Sequence, residues 1–174
     1  RGEAWTWEHQ ALLRARVVAG DPALRERFEA LRCDILRFAV RRATLREDVR
    51  NMRERMRGEL SKSGPGQFDL KQDAGGITDI EFLAQYWTLL LSERYPELVT
   101  YSDNIRQLES LASADLVPQA TVDVLTGAYR AYRQRMHHLS LEAAGNVVPT
   151  DEFRDVRAAV SAIWDTTMEN REND

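Results

Sequence analysis

The sequence predicts an all-α fold, a multi-helix bundle with at most a short strand near residues 68–71. Two observations carry this. Apolar residues recur at spacings of three and four through nearly the whole chain. Helix signals punctuate those runs, with Asp21-Pro22, Ser102, Pro118 and Thr150 at starts and Gly20 and Gly145 at ends. At 174 residues the chain fits one domain, or a domain with an appendage, and is long enough to bury a core without staples.

In WTWEHQALLRARVVAG, residues 5–20, Trp5, Leu12, Ala15, Val18 and Ala19 fall on one helical arc. Glu8 projects into that arc, so if buried it needs a hydrogen-bonded or cationic partner. Asp21 then caps a second helix that runs to about Val40, with Pro22 at its first position. Its Leu24, Phe28, Leu31, Ile35 and Phe38 form the apolar row. Thr44-Leu45-Arg46-Glu47 has the capping-box pattern and starts a third helix, unless one helix runs on through residues 41–44. Leu45, Val49, Met52 and Met56 form its apolar row. The neighbouring row of Arg46, Arg50, Arg53 and Arg57 faces an anion, an acidic protein partner or simply water.

SKSGPGQ, residues 61–67, reads as a flexible connection, and FDLK after it is the candidate strand. FLAQYWTLLLS is too long for a typical strand, and Glu81, Gln85, Thr88 and Ser92 make one polar row at helical spacing. The rest of that helix is apolar enough to place it centrally. Ser102 caps a helix through Ala112. Pro118 opens another, with Val122, Leu125, Tyr129, Tyr132, Met136 and Leu139 as its packing row, and Gly145 ends it. Thr150 caps a last helix bearing Phe153, Val156, Val160, Ile163 and Trp164, and residues 169–174 form a polar tail.

Cys33 is the single cysteine, which excludes an internal disulfide and suits a reducing, cytoplasmic setting. No apolar run approaches membrane-spanning length. A start at Arg1 and not Met suggests a processed chain or an excised fragment. From Pro22 to Arg57 there are eleven Arg against six acids, an excess of five in a chain of net charge −4, so the remainder carries −9. The acidic total and the absence of aromatics from the basic row argue against nucleic acid as a partner. Only Lys62 and Lys71 are lysines among 24 cationic residues, which draws attention to Lys71 beside a glycine pair.

KQDAGGITDIEF, residues 71–82, carries the sharpest chemical question. On a strand Asp79 and Glu81 share a face and can hold a metal together, whereas on a helix they point roughly 200° apart. The helical pattern that follows favours the second geometry, with Thr78 as N-cap, Glu81 as its partner and Asp79 in the first turn. The functional version has Gly75 and Gly76 presenting amides to a nucleotide phosphate, Lys71 adding charge, and Glu81 with Gln85 lining a cleft. Arg14 and Arg16 lie on different sides of the first helix and cannot form one clamp from it. His137-His138 with Glu142 supplies only one i, i+4 pair, too little for a metal site, so no metal is assigned. Cys33 has no activating neighbour in sequence, and there is no P-loop, nucleophile elbow or zinc-protease helix.

Two blocks, AWTWEHQALLRARVVAGD at residues 4–21 and FDLKQDAGGITDIEFLAQY at residues 68–86, closely resemble a known family. They are similar to the helical region after the C-terminal nucleotidyltransferase domain of bacterial glutamine synthetase adenylyltransferase/adenylyl-removing enzymes. EDVRNMRERMR and AYRAYRQRMHHLSLE fit the same region less specifically. The resemblance implies a helical accessory domain, residues 1–168, of a bifunctional enzyme that adenylylates and deadenylylates a tyrosine of glutamine synthetase. AWTWEHQAL and DIEF look more like the adenylylating half, in which Mg-ATP donates AMP. Glutamine synthetase, the PII signalling protein and the upstream nucleotidyltransferase domain are the implied partners, without nucleic acid or membrane. The family's catalytic G-S plus D-x-D motif is absent from this sequence, so no catalytic residue is assigned and the fragment is expected to be inactive alone, with no tightly bound cofactor. By their place in the two matching blocks, Glu8, Arg14, Arg16, Lys71, Asp79, Glu81 and Gln85 become candidates for a nucleotide-cleft wall or domain interface. Arg46, Arg50, Arg53 and Arg57 are the protein-docking candidates. Alternatives are a docking module without nucleotide contact and a fragment of a related uridylyltransferase-type enzyme.

Overall fold

A computed structural model of the chain describes residues 4–169, so nearly all of the expected polar tail at 169–174 lies outside the described residues. Among the described residues the order is α1 (Thr6–Arg14), α2 (Pro22–Phe38), α3 (Arg42–Leu60), β1 (Gln67–Asp69), α4 (Ile77–Leu91), a 3-10 turn (Pro96–Val99), α5 (Asn104–Ser113), α6 (Gln119–Leu141), β2 (Val147–Pro149) and α7 (Arg154–Met168). The fold is helical, as expected, with one two-stranded ribbon. In it β1 pairs antiparallel with β2, Phe68 opposite Val148. The β2 strand was not expected, because three residues ending in proline carry no alternation to read. No helix is long and apolar enough to cross a membrane among the described residues.

The described residues form two compact units. One comprises the chain up to Val49 with Ala84–Val117; the other comprises Arg50–Leu83 with Pro118 onward, the divisions falling inside α3 and α4.

In the first unit, α1 is shorter than its apolar arc suggested and buries a different face. Thr6, His9, Gln10 and Leu13 point inward, while Trp5 and Val18 are exposed and Ala15 is already extended. The cause is Arg32 of α2. This buried guanidinium donates from Nε to the Leu12 carbonyl at 3.0 Å, from Nη2 to Leu13 at 2.7 Å and from Nη1 to Val99 at 2.8 Å. Carbonyls at a helix C-terminus lack intrahelical partners and favour a cation, so Arg32 closes α1 where it stops. Glu8 is exposed, so it needs no buried partner, and it accepts the Trp5 N–H at 2.7 Å, capping the helix start.

The start of α2 follows the sequence, with the Asp21 carboxylate accepting from the amides of Ala23 at 2.9 Å and Leu24 at 3.1 Å. Its rotation does not. Arg32 and Leu36 are buried, whereas Leu24, Leu31 and Phe38 of the expected apolar row are exposed. Next, α3 begins at Arg42, two residues before the proposed cap, and the Thr44 hydroxyl donates to Asp48 at 3.1 Å. Arg42 repeats the role of Arg32, donating to the carbonyls of Arg37 at 2.7 Å and Leu90 at 3.0 Å, where α2 and α4 end. A guanidinium offers five fixed donors, which an ammonium cannot match, and this gives a physical use for a cation pool that is nearly all arginine. Asp103, and not Ser102, caps α5, accepting from the Arg106 amide at 3.0 Å.

His9 gives this unit a pH dependence. Burial pushes its pKa below the usual histidine value, the nearby Trp5 backbone and Glu8 offset this only in part, and Nε2 has no hydrogen-bond partner among the described residues. The unfolded chain therefore binds the proton more readily. Stability contributed by neutral His9 is full above the unfolded pKa of about 6.5 and falls as pH drops below it. Urea midpoints should be lower at pH 5.5 than at 7.5, and His9→Gln should flatten that difference.

In the second unit α6 packs on α7, and Val122, Leu125, Tyr132 and Leu139 of the expected α6 row are buried. Tyr132 sits edge-on to Phe68, with centroids 5.8 Å apart, and to Phe153 at 5.1 Å, joining ribbon, α6 and the start of α7. Neither expected punctuation mark works as proposed. α6 ends at Leu141, followed by Ala143 at φ 53°, before Gly145 is reached. Thr150 is not a cap either, since α7 starts at Arg154 and the Thr150 amide donates to the Gly66 carbonyl at 3.0 Å.

Candidate functional site

The strongest constellation is built on KQDAGGITDIEF, in the second unit. α4 begins at Ile77, so Thr78 lies inside the first turn and the proposed Thr78/Glu81 capping box does not form. Asp79 points into the turn that precedes the helix. Its Oδ1 accepts from Arg53 Nε at 2.6 Å, its Oδ2 from the Gly75 amide at 2.7 Å, and both oxygens lie 3.4 Å from Arg57 Nη2. Arg53 and Asp79 are 0% and 1% exposed at their side chains. Burial pushes the Arg53 pKa below its usual value, and the carboxylate of Asp79 opposes that shift.

Arg53 also donates from Nη2 to the Gln72 carbonyl at 2.7 Å, while Arg157 of α7 donates to the Ala74 carbonyl at 3.0 Å and lies 4.5 Å above the Phe68 ring. The turn is thus gripped from α3 and from α7. Below it, Asp69 accepts from the amides of Lys71 at 2.9 Å and Gln72 at 3.1 Å, and Asp73 accepts from Ser61 at 2.6 Å and from the Asp69 amide at 2.8 Å. Burial pushes the Asp73 carboxyl up, but the bonds from Ser61 and Asp69 outweigh it and hold the pKa below the usual carboxylate value. Through Ser61, the connection at 61–67 is tied to this network.

The glycine pair is a packing device. Gly75 has φ +78°, and a Cβ there would collide with the Arg157 backbone carbonyl and come within 2.7 Å of Ser161 Oγ. A Cβ on Gly76 would meet the Leu70 carbonyl at 2.8 Å. Both amides are taken, Gly75 by Asp79 and Gly76 by the Asp73 carbonyl at 3.0 Å, so neither is offered to a phosphate. The D-x-E pair is likewise separated. Asp79 faces Arg53, whereas half-buried Glu81 accepts from the Tyr129 hydroxyl at 3.4 Å. Among the described residues no three His, Cys, Asp or Glu side chains are placed to hold a metal.

The other candidates fall as follows. In the first unit, Glu8, Arg14 and Arg16 are exposed and Gln85 is buried; in the second, Lys71 is exposed on the turn. Of the arginine row, Arg46 donates to the Tyr86 hydroxyl at 3.1 Å and Arg57 shares Asp79. Arg53 is corrected from a docking residue to a buried structural one, with no surface to offer. Arg50 is half-buried, and its buried Nε has no hydrogen-bond partner among the described residues. Sequence reasoning singled out Arg53 but missed its burial, although it stands four residues after Val49 on the buried line Leu45, Val49, Arg53. It missed Arg157 too, and no local signal marks that residue.

A family model described as GlnD PII-uridylyltransferase matches residues 43–161, and one described as glutamate-ammonia ligase adenylyltransferase matches residues 1–31. The chain is 46% identical over 167 residues to the bifunctional glutamine synthetase adenylyltransferase/adenylyl-removing enzyme of Thioalkalivibrio sulfidiphilus. That alignment covers 96% of this chain but 17% of the relative, so the chain spans about a sixth of that protein's length. The chain belongs to the family of the first model, on the side of the glutamine synthetase adenylyltransferases.

Proposed function

We propose that the chain is the helical accessory domain of the adenylylating half of an enzyme that adds AMP to, and removes it from, a tyrosine of glutamine synthetase. One observation carries the accessory role. The turn at 69–79, within a block resembling that family, has its carboxylates, its glycine amides and three successive carbonyls committed to internal bonds. Such a segment shapes a wall and supplies no reacting group. Mg²⁺ and ATP are the reagents of the parent in this reading, but the residues here do not fit the metal: Asp79 already accepts from Arg53, Arg57 and Gly75. No chemical step is therefore assigned to this chain. Glutamine synthetase, the PII protein and the upstream nucleotidyltransferase domain are the partners. In the second unit Lys71 and Glu81 are proposed for a domain interface or cleft wall; in the first unit, taken by itself, Glu8, Arg14 and Arg16 are proposed for a domain interface, while Gln85 is buried and has no surface to offer.

The isolated chain should fold as a helical protein and transfer no AMP to glutamine synthetase with Mg-ATP; robust transfer would overturn the accessory role. In a longer polypeptide that includes the nucleotidyltransferase domain, Lys71→Ala should slow transfer about tenfold, a loss of about 1.4 kcal/mol at the transition state. Unchanged kinetics would remove Lys71 from the cleft. The excess of five positive charges between Pro22 and Arg57 favours a second reading in which half-buried Arg50 and its stretch of α3 dock an acidic partner. Arg50→Glu then weakens partner binding and leaves ATP use intact, while intact binding excludes it. A uridylyl-transferring parent has the description of the larger family match behind it, and the same assay with UTP tests it.

A further inference from the structure

The two ends of α1 are held in the first unit by different means. At the C-terminal end Leu13 is fully buried, and the Arg32 guanidinium holds the carbonyls of Leu12 and Leu13 at 3.0 and 2.7 Å. The side chains buried ahead of that anchor, Thr6, His9 and Gln10, are all polar. The Thr6 hydroxyl donates to Asp48 of α3 at 2.7 Å, but Nε2 of His9 and Nε2 of Gln10 are buried without a hydrogen-bond partner among the described residues. The bond from Arg41 to the Ala4 carbonyl is long, at 3.5 Å. Little apolar burial and two unserved polar groups are the marks of a segment that opens before the structure around it does.

His9 makes that opening sensitive to acid. It is 3% exposed, and the charges that act on it are Glu8 on its own helix and Arg41 of the α2–α3 connection. Glu8 is exposed and bonded to the Trp5 amide. α3 brings Asp48 to this end of α1, but its Oδ2 already accepts from Thr6 and Thr44; α2 brings Arg32, which is bonded at the other end. A proton added to the docked ring therefore creates a second cation beside Arg41 in a buried place, whereas the released ring carries it in water. We infer that the N-terminal part of α1 is an acid-released arm: protonation of His9 frees residues 5–10 from the first unit while Arg32 keeps Leu12 and Leu13 in place. A stretch this short does not keep its helix in water, so release shows as lost amide protection. With an unfolded histidine pKa of about 6.5, the released fraction rises as pH falls, by at most about thirtyfold between pH 7.5 and 5.0.

Hydrogen exchange on this chain tests the inference, read residue by residue by NMR and corrected for the intrinsic effect of pH. Between pH 7.5 and 5.0 the amides of Glu8, His9 and Gln10 should lose protection by about fivefold or more, while those of α5, in the same unit, stay within about twofold. The His9 ring resonances, followed in the same samples, should titrate over the same range. Equal losses in α1 and α5 would mean that the unit opens as a whole and would overturn the arm. So would unchanged protection in α1 down to pH 5.0, or a His9 that takes up its proton while α1 stays protected. His9→Gln cannot titrate, so its α1 protection, whatever the level, should be the same at both pH values. A pH dependence that persists in that variant assigns the release to another group and overturns the role of His9.

Discussion

Asp79→Ala should destabilise the second unit by about 3–5 kcal/mol, the cost of stranding a buried guanidinium. Arg53 is 0% exposed, and Asp79 is the carboxylate it touches, at 2.6 Å. The same substitution frees the Gly75 amide, which is buried and has Asp79 as its acceptor. Replacing both charges, as Arg53→Met with Asp79→Leu, should cost much less than the sum of the single changes, because the desolvation penalty disappears with the pair. Urea unfolding of the two single variants and the double variant measures this. Arg135 and Glu152 form a control of equal length, also 2.6 Å, but each side chain is about a third exposed. Water already serves those charges, so Glu152→Gln should change stability by no more than about 1 kcal/mol. Burial, not distance, separates the two pairs.

Gly75→Ala should lose about 3 kcal/mol or more, combining a left-handed backbone position with overpacking against α7. Gly66 has nearly the same φ, +74° against +78°, but an added Cβ there meets nothing within 4 Å. Gly66→Ala should therefore show only the backbone cost, about 1–2 kcal/mol. For a chain of this size each kcal/mol moves the melting temperature by about 2–4 °C, so thermal unfolding resolves the difference. Equal losses would mean that the approach of Arg157 to Gly75 carries no weight.

What could be read from the sequence was what local chemistry decides. Asp21 with Pro22 announced α2 correctly because an N-cap needs only its own next residues. The α6 row was legible because α6 buries an apolar stripe in the usual way. The rotation of α2 was not, since it is set by Arg32 bonding carbonyls 19, 20 and 67 residues away in sequence. A buried arginine defeats a rule that reads leucines as inside. The same holds at the site. The helical geometry that separates Asp79 from Glu81 followed from periodicity, but the partner of Asp79 sits 26 residues upstream, in a row that looked like a solvated face. Thr44 and Thr78 each fit a cap by spacing and lost to helices that begin one or two residues earlier.

The central claim is that the turn at 69–79 is structural and supports chemistry done elsewhere in the parent. AMP transfer by the full-length polypeptide carrying Arg53→Met with Asp79→Leu tests it most directly, at a temperature well below that variant's melting point. Transfer within about threefold of the unaltered enzyme is the expected result, a difference below 1 kcal/mol in barrier. A fall of about a hundredfold or more, with melting unchanged, is the size of effect that removing an acid, base or ligand produces and would contradict it.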